Sequence, residues 1–166
     1  MNMIARLVDI TTLRVDAIVN AANKELAAGG GVCGSIHRAA GPELAKACAQ
    51  VSPCPVGEAR ITPGFQLPAR YVIHTVGPVW RGGGNGEADL LASAYRSAVK
   101  LAQREHLSSM AFPAISTGSY KYPLREAAEI AITTVGDELA KGGTIREVIF
   151  ACRSTDVLHC YVVLGL

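Results

Sequence analysis

Charged residues are scarce in this sequence, and its basic residues are not gathered into a run. Only 18% of the 166 residues are charged, and the formal net charge is +2. Because Lys and Arg are scattered along the chain, the composition argues against nucleic acid as a partner. Hydrophobic residues make up 49% of the chain, which excludes a disordered protein. We expect a single folded domain over residues 1–166.

Long apolar runs are also missing. No segment has the length of a membrane span, and the N-terminal residues show no apolar stretch followed by a small-residue cleavage site. We therefore expect a soluble, cytoplasmic protein without a membrane partner.

The five cysteines form no C-x-x-C pair. Their spacing predicts neither a zinc site nor a redox pair, so we expect no metal and no cofactor. In a reducing cytoplasm most of them are expected to be small buried hydrophobic residues. Cys33 is different, because it lies inside a glycine-rich segment.

Strand-like apolar runs alternate with helical patterns along the chain. This alternation predicts an α/β fold, a three-layer α/β/α sandwich with a mixed, largely parallel central sheet. The short connection between the first two strands suggests one antiparallel pair at an edge. We predict strands at residues 4–8, 17–19, 58–62, 71–76, 109–112 and 147–152, and helices at 42–51, 90–105, 124–140 and 156–164, with a further helix starting at Ser35.

Three polar segments follow predicted strands. Residues 20–23, residues 113–120 and Arg153 each come directly after one of them. Ligands in such folds bind beyond the carboxyl ends of the strands. We therefore expect these segments to share one edge of the sheet and to form the binding site.

Residues 29–37, with the sequence GGGVCGSIH, form the most distinctive motif. It is not a Walker loop, because no Gly-Lys-Ser/Thr follows, and it does not match the dinucleotide fingerprint, because the acidic residue expected about 20 positions further on is missing. A strand, a glycine loop and the start of a helix, in that order, favour an anion site, and a diphosphate is the expected ligand. The alternative is a flexible surface loop.

Neutral polar residues flank this motif. Asn20 and Asn23 carry amides suited to ribose hydroxyls, or they act as turn residues. Residues 116–120 form a second small-residue loop that can close on a diphosphate, with Tyr120 covering a sugar, or they form an ordinary connection. Asp9 either caps a turn or accepts a hydrogen bond from an adenine amino group.

Two histidines are expected to be structural. His37 lies on the face of a small-residue helix, and His74 lies within a strand. We predict that both are buried and hydrogen-bonded. Neither has a carboxylate nearby in sequence to orient it, so no Ser/His/Asp set is inferred.

Four motifs, in this order, resemble a macrodomain: IVNAAN at 18–23, GGGVCGSIHRAAG at 29–41, VIHTVGP at 72–78 and AFPAISTG at 111–118. The similarity is greatest to the MacroD-type branch and the bacterial O-acetyl-ADP-ribose deacetylases. It implies a three-layer fold that binds ADP-ribose. It also implies metal-free hydrolysis of O-acetyl-ADP-ribose and of mono-ADP-ribose on acidic side chains, with mono-ADP-ribosylated proteins as further partners.

The resemblance assigns roles to individual residues. Asp9 and the Ile10 backbone bind adenine, the two loops hold the diphosphate, Asn20 lies near the pocket floor, and Asn23 binds the distal ribose. The candidate catalytic residues are Asn23, Cys33 and Tyr120. The candidate ADP-ribose-binding residues are Asp9, Ile10, Asn20, Asn23, Gly30, Gly31, Val32, Cys33, Gly34, Ile36, Pro113, Ser116, Thr117, Gly118, Ser119, Tyr120 and Arg153.

The chain departs from the family at two of these positions and also at Val8. Active members carry Asp where this chain has Cys33, an aromatic residue is common at Arg153, and Gly is usual at Val8. Losing a positioned proton acceptor costs about 10² to 10⁴ in rate. We therefore expect ADP-ribose binding with weakened ester hydrolysis. The alternative is a non-catalytic reader of ADP-ribose.

Overall fold

In a computed structural model, which describes residues 2–166, a mixed six-stranded sheet forms the centre of the molecule. The strands are β1 (Asn2–Leu7), β2 (Ala17–Ala21), β3 (Ala59–Pro63), β4 (Tyr71–Thr75), β5 (Ser109–Phe112) and β6 (Glu147–Cys152). Their order across the sheet is β1-β6-β5-β2-β4-β3. Only β3 runs antiparallel to its neighbour, β4, so the sheet is largely parallel, as predicted.

Helices cover both faces of this sheet. They are α1 (Gly31–Ala40), α2 (Glu43–Val51), α3 (Glu87–Arg104), α4 (Leu124–Ala140) and α5 (Thr155–Val163). Strand β2 shows the two layers, because its side chains alternate between the faces. Ala17 and Val19 pack in the apolar cluster with α3, α4 and α5, whereas Ile18 packs in the cluster with α1 and α2. The predicted three-layer sandwich is confirmed.

The antiparallel pair predicted between the first two strands is wrong. β1 pairs in parallel with β6 at the sheet edge, and β2 pairs in parallel with β4 and β5. After β1 the chain forms a 3₁₀ turn (Ile10–Thr12), and Ile10, Leu13 and Val15 are buried. Burying these side chains carries the connection across β6 and β5 to the centre of the sheet. The antiparallel pair is β3 with β4.

Helix α1 begins earlier than the predicted start at Ser35. Gly30 is its N-cap and Gly31 its first residue, so all of the glycine-rich motif after Gly30 is helical. Gly31 has a φ of 57°, in the left-handed region that favours glycine. The predictions for β5, β6 and α4 are confirmed to the residue. Among residues 2–166, no helix has the length and apolar character needed to cross a membrane.

Candidate functional site

A cleft of about 740 Å³ opens at the carboxyl ends of β1 and β6, beside the N-terminus of α1. The parallel strands place the segments that follow them on this edge of the sheet, as the sequence predicts. Six predicted site residues line the cleft: Asp9, Ile10, Gly31, Val32, Pro113 and Arg153. Ser35, which belongs to the predicted glycine motif, also lines the cleft. Five further lining residues were not assigned to the site from the sequence: Leu7, Val8, Arg38, Ala151 and Cys152.

The N-terminus of α1 gives the cleft its positive character. The first N–H groups of a helix have no partner within it, and the helix dipole favours an anion there. The sequence assigned Gly31 and Val32 to an anion site, and both line the cleft. Gly34, one turn into the helix, packs so closely on Gly29 that a Cβ would overlap the Gly29 carbonyl oxygen. The glycine motif therefore leaves the N–H groups at the start of α1 exposed and allows the helix to pack closely on Gly29.

Asp9 caps the 3₁₀ turn at the floor of the cleft. Its Oδ1 accepts hydrogen bonds from the backbone N–H of Thr11 at 3.0 Å and from the Thr11 hydroxyl at 2.7 Å. The capping interpretation from the sequence is thus confirmed. Asp9 also lines the cleft, so the same carboxylate faces any molecule bound there.

Asn20 belongs to a buried hydrogen-bond chain beneath α1. Its Nδ2 lies 3.1 Å from Nδ1 of His74 and 3.7 Å from Sγ of Cys33, and the Nε2 of His74 lies 2.9 Å from the Thr62 hydroxyl. Because the amide nitrogen donates, His74 Nδ1 accepts and its proton sits on Nε2. Asn20 is only 1% exposed, and within the described chain its Oδ1 has no hydrogen-bond partner.

His74 is structural, as predicted. The side chain is fully buried, and this burial, with a smaller contribution from nearby His37, lowers the pKa of His74 to about 3. His74 is therefore neutral at physiological pH. Burial likewise lowers the pKa of His37. His37 is buried as predicted, but the prediction that it is hydrogen-bonded fails for Nε2, which finds no partner among residues 2–166.

Cys33 lies in the first turn of α1 and is only 6% exposed. Its thiol donates to the carbonyl oxygen of Ala27 at 3.6 Å while accepting from Asn20. Its second contact is thus with the loop that precedes the helix. An acceptor in place of the thiol would meet the Asn20 amide favourably and the Ala27 carbonyl unfavourably.

Asn23 holds this same loop closed. Its Nδ2 donates to the Ala27 carbonyl at 3.0 Å, and its Oδ1 accepts from the Ala27 N–H at 2.9 Å. A carboxamide carries two N–H donors and two acceptor lone pairs, so each end keeps one position free. The turn chemistry expected as the alternative for Asn is observed here, and capacity for a ligand remains.

The segment 113–120 only partly joins the cleft. Pro113 lines it, but Ser116, Thr117, Gly118, Ser119 and Tyr120 do not, nor do Asn20, Asn23, Gly30, Cys33, Gly34 and Ile36. Ser116 has a φ of 67°, and its buried Oγ has no partner in the described part of the chain. A Cβ on Gly77 would overlap this hydroxyl. The VGP motif therefore makes room for the strained Ser116.

Glu87, which the sequence reasoning missed, binds the backbone of the loop that follows Trp80. Burial would raise its pKa, but hydrogen bonds from the backbone N–H groups of Arg81, Gly83 and Asn85 lower it to about 2. The carboxylate thus organises the second glycine loop, which is residues 82–86. Just before this loop, the Trp80 N–H donates to the Tyr120 carbonyl oxygen at 2.8 Å. The only signal in the sequence that could have indicated this role of Glu87 was its position directly after a glycine run.

The site contains no cluster of metal ligands. Over residues 2–166, no three His, Cys, Asp or Glu side chains are placed to share a metal ion. The polar groups at this edge of the sheet are the Asp9 carboxylate, amides, hydroxyls, guanidinium groups and helix N–H groups. Such a set suits a neutral sugar joined to an anion.

Comparison with known proteins gives one consistent family. The Macro domain family model matches residues 19–131. A macro domain-containing protein of Chlorobaculum tepidum is 60% identical over 153 residues, which cover 92% of this chain and 89% of the relative. An O-acetyl-ADP-ribose deacetylase of Salmonella gallinarum is 54% identical over 157 residues, covering 92% and 88%. The crystal structure of a Trypanosoma brucei macrodomain in complex with ADP-ribose matches with a TM-score of 0.91 at 44% identity, covering 98% of this chain and 69% of that chain.

Proposed function

Because the chain belongs to the macrodomain family, we propose that it binds ADP-ribose in the cleft beside α1 and hydrolyses esters of the distal ribose. The observation that carries this proposal is the cleft itself. Its volume of about 740 Å³ lies within the range of small-molecule sites. The Asp9 carboxylate and the positive end of α1 both lie on its walls. The solved complex of the Trypanosoma brucei macrodomain with ADP-ribose supports the choice of ligand.

The proposed pose follows the order of the groups along the sheet edge. Asp9 and the Ile10 backbone bind the adenine. The diphosphate lies on the N–H groups at the start of α1, with residues 116–120 closing on it after a small movement. The distal ribose then reaches Asn23, whose amide has one free donor and one free acceptor. Tyr120 covers this sugar.

Hydrolysis in this pose splits the ester with water and without a metal. Water attacks the acyl carbonyl, the acyl–oxygen bond breaks, and the ribose hydroxyl and a carboxylic acid are released. Asn23 positions the ribose, and Tyr120 limits the access of solvent. Cys33 occupies the place where a carboxylate would orient the water, and its thiol already donates to Ala27. We infer that turnover is slow compared with that of a relative bearing Asp there.

A non-catalytic reader is the second candidate, and the same residue favours it. The Cys33 thiol is buried and provides no carboxylate acceptor, whereas the proposed binding groups on α1 and Asp9 do not depend on it. A protein of this kind binds ADP-ribose, free or attached to an acidic side chain, and releases it unchanged.

Calorimetric titration with ADP-ribose, beside an O-acetyl-ADP-ribose turnover assay, tests the proposal. The informative variant is Val32→Glu, which adds a carboxylate in the first turn of α1 where Val32 lines the cleft. An acidic residue there suits the helix dipole but repels a diphosphate. We expect affinity for ADP-ribose to fall at least about tenfold, with no loss of thermal stability.

The matched control is Val163→Glu, at an exposed position on α5. It should leave the affinity unchanged. Binding with turnover supports the hydrolase, and binding without turnover supports the reader. If wild type fails to bind ADP-ribose, or if both variants bind as wild type does, the cleft is not the ADP-ribose site.

A further inference from the structure

Two arginines line the cleft without a carboxylate partner. Arg38 lies on α1, and Arg153 follows β6. Neither takes part in any of the ion pairs formed within residues 2–166. Both side chains are exposed to solvent, so both guanidinium groups are free to meet a ligand.

Both arginines point toward the positive end of α1. Gly31, Ser35 and Arg38 share one face of the helix, because their spacing follows the helical repeat. Arg38 leans back along this face, with Nη2 3.2 Å from the Ser35 hydroxyl. The Nη1 of Arg153 lies 3.7 Å from the position that a Cβ on Gly31 would take. Two cations thus stand where the helix dipole is already positive, an arrangement that an anionic ligand would stabilise.

The charged side chains of the cleft are mostly cationic. Asp9 is the one carboxylate among the lining residues of the described chain, and its Oδ1 is occupied by Thr11. The diphosphate of the proposed pose is already placed on the N–H groups of α1. Each guanidinium carries five N–H donors and has no carboxylate partner within the described residues, so both arginines keep donors for further phosphate oxygens. Their planar forks match phosphate oxygens.

The position of the pair relative to the proposed pose decides which end of the ligand it faces. The arginines share the cleft with Asp9 and Ile10, whereas Asn23 and Cys33 do not line it. Under the proposed function, the adenosine half of ADP-ribose lies between these walls. The hydroxyls of the adenosine ribose are then the positions from which a further phosphate can reach the guanidinium groups.

We propose that Arg38 and Arg153 form a subsite for a phosphomonoester on the adenosine ribose, so that the protein prefers ADP-ribose 2′-phosphate to ADP-ribose itself. This inference rests on the proposed function, because it takes the orientation of the ligand from it. The preference comes from charge-assisted hydrogen bonds, and salt weakens it because both side chains are exposed.

Calorimetry with the two ligands at low ionic strength measures the preference. We expect wild type to bind ADP-ribose 2′-phosphate about tenfold more tightly than ADP-ribose. Arg38→Gln and Arg153→Gln should each reduce this ratio, and the double variant should bring it near unity. Arg104→Gln, at an exposed position on α3 outside the cleft, is the matched control and should keep the ratio of wild type.

The two proposals fail in different ways. If wild type binds ADP-ribose but does not prefer the 2′-phosphate form, the subsite is wrong and the proposed function stands. A preference that survives in the double variant also overturns the subsite. If neither ligand binds, both proposals are overturned.

Discussion

At the residue scale, Cys33 is the position on which the proposed catalysis depends most. Its thiol connects β2 with the loop before α1, because it accepts a hydrogen bond from the buried Asn20 amide and donates one to the Ala27 carbonyl. A carboxylate there would keep the first contact and gain a proton acceptor for a water molecule. It would also set two acceptors against each other at Ala27. Under the proposed function, the thiol therefore favours closure of the loop that Asn23 holds over catalytic capacity.

The variant Cys33→Asp should raise O-acetyl-ADP-ribose turnover at least about tenfold, because a positioned acceptor contributes about 10² to 10⁴ in rate. The affinity for ADP-ribose should change little, since the proposed diphosphate contacts come from α1. The measurement is initial rate against substrate concentration, with calorimetry on the same preparation.

Cys33→Asn is the matched control, because it has nearly the size of Asp without the charge. It should show no gain in turnover. Equal rates for the Asp and Asn variants would mean that a carboxylate at this position does not serve catalysis in this protein.

At the element scale, the placement of α1 depends on glycines at its start. Gly30 and Gly31 open the helix without side chains that would cover the cleft, and Gly34 packs directly on the Gly29 carbonyl. The strand β2, the loop 22–30 and α1 therefore form one closely packed unit. Displacement of the loop would move the N–H groups away from the cleft.

The variant Gly34→Ala should disrupt this unit. Alanine favours a helix interior by about 1 kcal/mol over glycine, but its Cβ would overlap the Gly29 carbonyl and approach Nη1 of Arg38 to 3.1 Å. Overpacking of this kind costs about 1–3 kcal/mol, so we expect a net loss of stability in urea denaturation, together with weaker ADP-ribose binding.

A comparison glycine is available in the second glycine loop. A Cβ on Gly84 would meet no atom within 4 Å, so Gly84→Ala should unfold at the urea concentration of wild type. A wild-type midpoint for Gly34→Ala as well would show that the loop yields without cost and that close packing is not the role of this glycine.

At the scale of the whole molecule, the sheet separates two apolar layers, and the polar chain of Asn20, His74 and Thr62 lies buried within this framework. The two layers share every central strand, which supports our proposal that residues 1–166 form one domain. A buried neutral histidine makes such a domain sensitive to acid. Its folded-state pKa of about 3 is below the ordinary value of 6.5, so the unfolded chain binds the proton more readily.

The sign of the pH effect follows from this difference. His74 leaves stability unaffected above its unfolded pKa and lowers it as the pH falls from about 6.5 toward about 3. Between about pH 7.5 and about pH 5, it should reduce the free energy of unfolding by about 2 kcal/mol. The lowered pKa of buried His37 acts in the same direction. The stabilisation that comes from the lowered pKa of Glu87 is lost only below about pH 4.5.

The variant His74→Gln should show a shallower pH dependence in urea denaturation over this range, whatever its stability at neutral pH. Glutamine keeps an acceptor for Asn20 and a donor for Thr62 but does not titrate. His159→Gln, at an exposed position, should keep the slope of wild type. An unchanged slope for His74→Gln would show that His74 does not supply the acid sensitivity.

The sequence by itself determined the fold class, most element boundaries and the edge of the sheet that carries the site. Hydrophobic periodicity reports burial within one element, and it was sufficient for β5, β6 and α4. The rule that parallel strands end at one edge predicted that residues 113–120 and Arg153 share a site, and Pro113 and Arg153 do line the same cleft. Only the tertiary structure decided which strands pair, and it replaced the expected β1–β2 pair with β3–β4. It also decided the bond between Asn20 and His74, residues 54 positions apart, and the placement of Arg38 and Arg153 in one cleft. Contacts between distant elements depend on sheet order and packing, which local periodicity does not encode.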